Sequence, residues 1–248
     1  LGNYEKSARC FNIAQECART SLDETSPSVA NTLNNLGNLN RKTKNDKVAL
    51  DFYNESLAIY KRNFGDNDIN CAASYNNIGN VYYGMGKYDD ALASYEKCRT
   101  IISSNKMENT GDYANTIANI ALTYNAQGDH TKALSYFDNA LKIAAEVYGT
   151  DHTRYADMTN NKGDVYFASG DYQKAAECYI LALTINRKHL VSDFSFLTAA
   201  EREMYWENNG SMCQRILRCG SKLPNNDLIS GGAYDAELIT KGLLLTSD

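Results

Sequence analysis

Between residues 31 and 40 the chain reads NTLNNLGNLN: Leu33, Leu36 and Gly37 fall at i, i+3 and i+4, with asparagines between them. Residues 75–82 repeat the scheme. Tyr75, Ile78, Gly79 and Tyr82 lie at i, i+3, i+4 and i+7, one face of an α-helix. The turn GMGKYDD follows, and its Gly86 suits a left-handed helix end. A second apolar pattern then runs from about Asp89 past Ile102, burying Ala91, Leu92 and Tyr95. Two helices joined by a short polar turn are therefore predicted.

This pair recurs with a fixed period. TLNNLGNLN from Thr32 aligns with SYNNIGNVY from Ser74, TIANIALTY from Thr116 and MTNNKGDVY from Met158, an offset of 42 residues each time. One column holds Gly37, Gly79, Ala121 and Gly163, small residues that let two helices approach closely. Ala30, Ala72, Ala114 and Ala156 fill another column. Ala49, Ala91, Ala133 and Ala175 fill a third, followed four residues later by Tyr53, Tyr95, Phe137 and Tyr179. Ser26, Asp68, Thr110 and His152 share the helix-start column, and Pro27 stands at the first helical position after Ser26. Asn40, where the other units carry tyrosine, and Lys162, in a column of Leu and Ile, predict locally looser packing.

The small residue, the tyrosine three positions on, the turn glycine and the alanine before an aromatic resemble tetratricopeptide repeats. The 42-residue unit, with its NNLG and GTDHTRYA stretches, is similar to the longer variety found in kinesin light chains. The resemblance implies an all-α fold, a right-handed α-solenoid of antiparallel helix pairs forming a tetratricopeptide superhelix. It spans residues 1–188, with a partial first repeat at 1–25 and full repeats starting near 26, 68, 110 and 152. LGNYEKSARCFNIA matches MGKYDDALASYEKC at an offset of 84, so the chain opens inside a repeat. It also opens on Leu1 rather than Met, so residues upstream are expected to have been removed, and any targeting segment would lie there unseen.

Beyond about Lys188 the period fades, and residues 189–248 read as a C-terminal capping or linker region. FLTAAEREMYWE starts a helix, with Thr198 and Glu201 spaced as a capping box, that is expected to reach Cys219. A loop and a final helix, AYDAELITKGLLL, follow. FSFLTAAEREMYW and AYDAELITKGLLLTSD also resemble the linker that precedes a bacterial CHAT (caspase-like) peptidase domain. That resemblance implies a regulatory or sensor arm of a larger cysteine peptidase whose catalytic domain is not in this chain.

Composition narrows the function. The net charge of −5 gives no reason to expect nucleic acid as the main partner, since such proteins usually carry a basic face. No apolar run approaches the roughly 18 residues of a membrane span, so no membrane insertion is expected. The seven cysteines include no C-x-x-C pair, and Cys10, Cys17, Cys98 and Cys178 lie within amphipathic helical patterns. They read as structural thiols in a reducing, cytoplasmic setting. His130 and His152 have turn and helix-start contexts, and His189 lies near a weak fifth unit with Cys213 and Cys219 downstream, neither of them in a nucleophile motif. No catalytic site, metal or cofactor is therefore expected.

What remains is the asparagine stripe. Nine such residues cost about 5 kcal/mol of helix propensity relative to alanine, comparable with the whole stability of a domain, so mere tolerance is a poor explanation. With Tyr75 at zero on a helical wheel, Asn76, Asn77 and Asn80 fall at about 100°, 200° and 140°, away from the second helix. The resemblance implies that this face looks into a concave groove. The expected peptide-binding residues are Asn34, Asn35, Asn38, Arg41, Asn76, Asn77, Asn80, Asn119, Asn160, Asn161 and Asp164, with apolar contacts from Tyr83 and Phe167. Asn31, Asn115 and Asp157 extend the lining. Carboxamides offer donors and an acceptor, and so suit peptide backbone of any sequence. The columns in which related domains carry Lys or Arg for a C-terminal carboxylate hold Asn34, Asn76, Ala118 and Asn160 instead, and Asp157 and Asp164 disfavour an acidic peptide. The column of Asn35, Asn77, Asn119 and Asn161 fits groove contact or inter-repeat hydrogen bonding equally. A protein or peptide segment is the expected partner, and self-association through the open N-terminal end is a further possibility.

Overall fold

The computed structural model describes residues 26–193 and 199–223, with side chains for 26–188 and 210–223. The half repeat at 1–25, the final helix and most of the two stretches that resemble the CHAT linker lie outside the described residues. Nine helices and no strand occur among those described. They are α1 (Pro27–Lys42), α2 (Asp46–Phe64), α3 (Ile69–Gly84), α4 (Tyr88–Ser104), α5 (Gly111–Ala126), α6 (His130–Tyr148), α7 (Thr153–Ala168), α8 (Tyr172–Asp193) and α9 (Ala199–Lys222). The α-solenoid expected from the repeat is thus present as helix pairs. The chain divides into two compact units. The first holds residues up to Glu108 and Asn115–Gln127, and the second holds Asn109–Ala114 and the chain from Gly128 onward.

The starts and turns follow the sequence signals. Asp68 accepts a hydrogen bond from the Asn70 amide at 2.9 Å, and His152 accepts through Nδ1 from the Arg154 amide at 3.1 Å. Thr110 Oγ1 does the same for Tyr113 at 3.4 Å. Ser26 differs: it makes no side-chain cap, and its Oγ is buried without a partner. In the turn between paired helices, Gly86, Gly128 and Gly170 take φ of +73°, +85° and +86°. Lys44 occupies the same column in the first pair at φ +61°, a conformation costly for a residue with a Cβ.

In the first unit α1 packs on α2, α2 on α3 and α3 on α4. The glycine column sets the spacing inside each pair. A Cβ at Gly37 would stand 2.5 Å from a ring carbon of Tyr53, and one at Gly79 would stand 2.5 Å from Tyr95. Both rings are fully buried against the first-helix backbone. Each such burial is worth about 1.5–3 kcal/mol.

In the second unit α6 packs on α7, α7 on α8 and α8 on α9. Gly163 meets Tyr179 as the earlier glycines meet their tyrosines, with 2.7 Å to the ring from an added Cβ. Lys162, where looser packing is expected, forms an ion pair with Asp138 at 2.6 Å and lies over the Tyr166 ring. Burial pulls its ammonium down in pKa, but the bond and charge of Asp138 outweigh that and leave it raised. Asn40, the other departure, donates to the Leu36 carbonyl at 2.9 Å.

Although the period fades in the sequence, α9 restores it. Cys213, Ile216 and Cys219 are buried 180 residues after the buried Leu33, Leu36 and Leu39, and the helix ends at Lys222 as α1 ends at Lys42. These residues join one core with Ala175, Tyr179 and Leu183 of α8. A first-helix register therefore returns after a longer connection.

Candidate functional site

The expected site residues lie on α1, α3, α5 and α7. A half-buried carboxamide is useful to a ligand only through atoms its neighbours leave open.

The helical wheel turns Asn38 and Asn80 away from the second helix, and here the structure differs. The Tyr53 hydroxyl donates to Asn38 Oδ1 at 2.8 Å, and the Tyr95 hydroxyl donates to Asn80 Oδ1 at 2.9 Å. The glycine is the physical reason. With no Cβ in the way, the ring lies flat across the first helix and carries its hydroxyl past the helix edge. In the second unit the Tyr179 hydroxyl reaches Asp164 Oδ1 at 2.8 Å by the same route. The third repeat changes all three members in the sequence, with Ala121, Leu122 and Phe137 in place of glycine, carboxamide and tyrosine.

Neighbouring first helices of the first unit are also tied. Asn34 donates to Ser74 Oγ at 3.3 Å. Asn119 donates to Asn76 Oδ1 at 3.0 Å and to Asn80 Oδ1 at 3.3 Å. Of the column that sequence leaves open, Asn119 therefore bonds between repeats, while Asn35 is exposed and Asn77 half-buried. Asn31 accepts from the Tyr60 hydroxyl at 2.7 Å. Arg41 is exposed, and Tyr83 is half-buried with its ring 5.8 Å from that of Tyr88.

The bonds fix orientation as well as position. Asn38, Asn76 and Asn80 all present Oδ1 to an internal donor, which turns the Nδ2 group of each the other way. Among the described residues those three amide groups donate no hydrogen bond, and none of them is a buried, unpartnered atom. The reverse holds at Asn34, whose Oδ1 is buried and unpartnered.

In the second unit Asn160 and Asn161 are half-buried, and Asn160 Oδ1 is buried without a partner. Phe167 packs edge-on against Tyr172 with ring centres 5.2 Å apart. Asp164 does not stand as a free charge, because Arg215 of α9 meets its Oδ2 at 3.0 Å. Arg215 also lies over the Tyr179 ring, 5.8 Å from its centre. Sequence reading missed Arg215 because the connection before α9 breaks the period. Burial raises the Asp157 carboxyl in pKa, opposed by Arg154 and His152.

Cys71, Cys98, Cys213 and Cys219 are buried. Burial pushes the thiols of Cys178 and Cys219 up to about 11, which keeps them protonated and unreactive at neutral pH. No described helix is long and apolar enough to cross a membrane.

Comparison with known proteins agrees with this architecture. No curated protein matches the sequence. Among solved structures, BtubC (BKLC) from P. vanneervenii superposes with a TM-score of 0.72 at 19% identity, over 98% of this chain and 90% of that one. A Podosopora anserina putative kinesin light chain with nearly identical TPR-like repeats gives 0.61 at 16% identity, over 76% and 89%. The apo form of RapI gives 0.65 at 15% identity, over 98% and 93%. These likenesses concern the fold alone. The tetratricopeptide repeat family model matches residues 1–62, 49–104 and 112–188. With more than half its length so matched, the chain belongs to the tetratricopeptide repeat family, whose members commonly mediate protein–protein interaction.

Proposed function

We propose that this chain is a non-catalytic scaffold that captures an extended peptide or protein segment along the first-helix face of its repeats. The observation that carries this reading is the shared orientation of Asn38, Asn76 and Asn80. Internal donors occupy each Oδ1, so each Nδ2 is aimed outward before any ligand arrives. Pre-set donors of this kind suit the carbonyl oxygens of a peptide backbone and lose little side-chain entropy on binding. In the first unit Tyr83 offers apolar contact, and Arg41, Asn35 and Asn77 extend the same columns. In the second unit Phe167, Asn160 and Asn161 hold the corresponding positions. The pairing of Asp164 with Arg215 removes one of the two charges that would repel an acidic segment.

Substitution by aspartate tests this reading. Asp accepts from a tyrosine as Asn does, as Asp164 does from Tyr179 at 2.8 Å, but it has no outward donor. Peptides selected from a displayed library on the native chain should bind Asn80→Asp more weakly at unchanged fold. Equal binding would remove the donors from the account.

The regulatory-arm alternative, with a CHAT peptidase beyond Asp248, rests on stretches that lie mostly outside the described residues. The gene sequence downstream of Asp248 decides it. Self-association is decided by sedimentation across a concentration series.

A further inference from the structure

We infer that a notch between the second helices of the first unit is a separate binding site, and that it takes a carboxylate of an acidic peptide. The notch has a volume of about 440 Å³ and is lined by Lys61 of α2, Asp66 and Asn67 of the following turn, Tyr75 of α3, and Glu96, Lys97, Thr100 and Ile101 of α4. It lies against α2 and α4, so its walls are not the carboxamide columns of the first-helix face.

The internal repeat shows what is unusual here. Tyr75 occupies the column of Leu33, Ile117 and Thr159, and Leu33 and Ile117 are completely buried packing residues. Lys97 stands where other repeats have Glu55, Asn139 and Leu181. Thr159 is buried in that column as well, whereas Tyr75 is only half-buried and lines the notch. Those changes converge: the Lys61 and Lys97 ammonium groups lie 5.5 Å and 5.3 Å from the centre of the Tyr75 ring.

A resident anion already marks the chemistry. Asp66 meets Lys61 at 3.0 Å while remaining 79% exposed, and an ion pair that open is worth only about 0–1 kcal/mol. An incoming carboxylate exchanges with it at little cost. The Tyr75 side chain and the Asp66 carboxylate beside it push the Lys61 pKa up to about 12, so it remains charged. Glu96 does not compete, being held 2.7 Å from Arg99. Lys97 forms no ion pair among the described residues, and its ammonium is open to the ligand.

The test uses the full chain and a fluorescein-labelled hexaglutamate peptide, with anisotropy read at low salt. Lys97→Glu is expected to weaken binding about fivefold or more, the equivalent of an exposed charge pair. Asp66→Asn should strengthen binding by removing the resident anion. Tyr75→Leu, which installs the residue of the first repeat, should weaken binding while the helices stay folded by circular dichroism. An uncharged library-selected peptide that occupies the first-helix face should leave hexaglutamate bound, which separates this site from that face. Unchanged binding by Lys97→Glu, or weaker binding by Asp66→Asn, would overturn the inference. Displacement of the peptide by equimolar inorganic phosphate would overturn the carboxylate assignment.

Discussion

The Tyr95 hydroxyl donates to Asn80 Oδ1 at 2.9 Å across 15 residues of sequence, and Tyr53 with Asn38 and Tyr179 with Asp164 repeat the bond. Because Asn119 also donates to Asn80, one oxygen joins a second helix to the next first helix. The third repeat carries Phe137 and Leu122 in those columns, so the chain supplies its own apolar version of the pair. Tyr95→Phe should cost about 1–2 kcal/mol, and Asn80→Leu about 1–3 kcal/mol, each leaving polar groups unpaired. The double variant should cost less than the sum by about 1 kcal/mol in a urea-unfolding cycle. Strict additivity would show that the bond contributes nothing.

Gly79 and Gly84 sit on one helix in opposite surroundings. A Cβ at Gly79 meets the Tyr95 ring at 2.5 Å, whereas nothing lies within 4 Å at Gly84. Gly79→Ala should therefore destabilise by about 1–3 kcal/mol. Gly84→Ala should stabilise, by at most about 1 kcal/mol from helix propensity. Thermal unfolding of the two variants reads both signs.

Lys44 carries the strain that Gly86, Gly128 and Gly170 relieve in the later turns. Lys44→Gly should raise stability by about 0.5–1 kcal/mol, the left-handed penalty less the added chain entropy of glycine. A fall in melting temperature would contradict this.

Alkaline pH should loosen the helix pairs. Burial raises the Tyr53 phenol from its ordinary 10.0 to about 12, with Arg41 opposing, and burial also raises Tyr95 and Tyr179. Unfolded tyrosines release their protons near pH 10 while these folded ones hold theirs, so the folded state binds more protons there. Stability is then fully present below pH 10 and declines as pH climbs toward 12. Melting temperatures from pH 8 to 12, followed with tyrosinate absorbance, should show that decline, and Tyr53→Phe should make it shallower.

The helix pairs, their start residues and their turn glycines were legible in the sequence because they are local and repeat every 42 residues. The side-chain bonds were less so. A wheel for a single helix assigns Asn38 and Asn80 to an outward face, yet the partner's tyrosine reaches them over a glycine, an event that involves two helices. Lys162 reads as a packing defect until Asp138 is brought beside it from another repeat. Arg215 could not be placed at all, since its register returns only after an irregular connection. What the asparagine stripe costs in helix propensity is offset in part by its own network, and only part of each carboxamide remains for a ligand.

The central claim is that the outward Nδ2 groups of Asn38, Asn76 and Asn80 hold a peptide backbone. The most direct measurement is calorimetric titration of one uncharged library-selected peptide into the native chain and into the triple variant Asn38→Asp, Asn76→Asp, Asn80→Asp. The account predicts at least about a tenfold loss of affinity, the equivalent of about 1.4 kcal/mol, with the helical circular dichroism retained and a modest fall in melting temperature from the like charges at positions 76 and 80. Native affinity in the triple variant would contradict it.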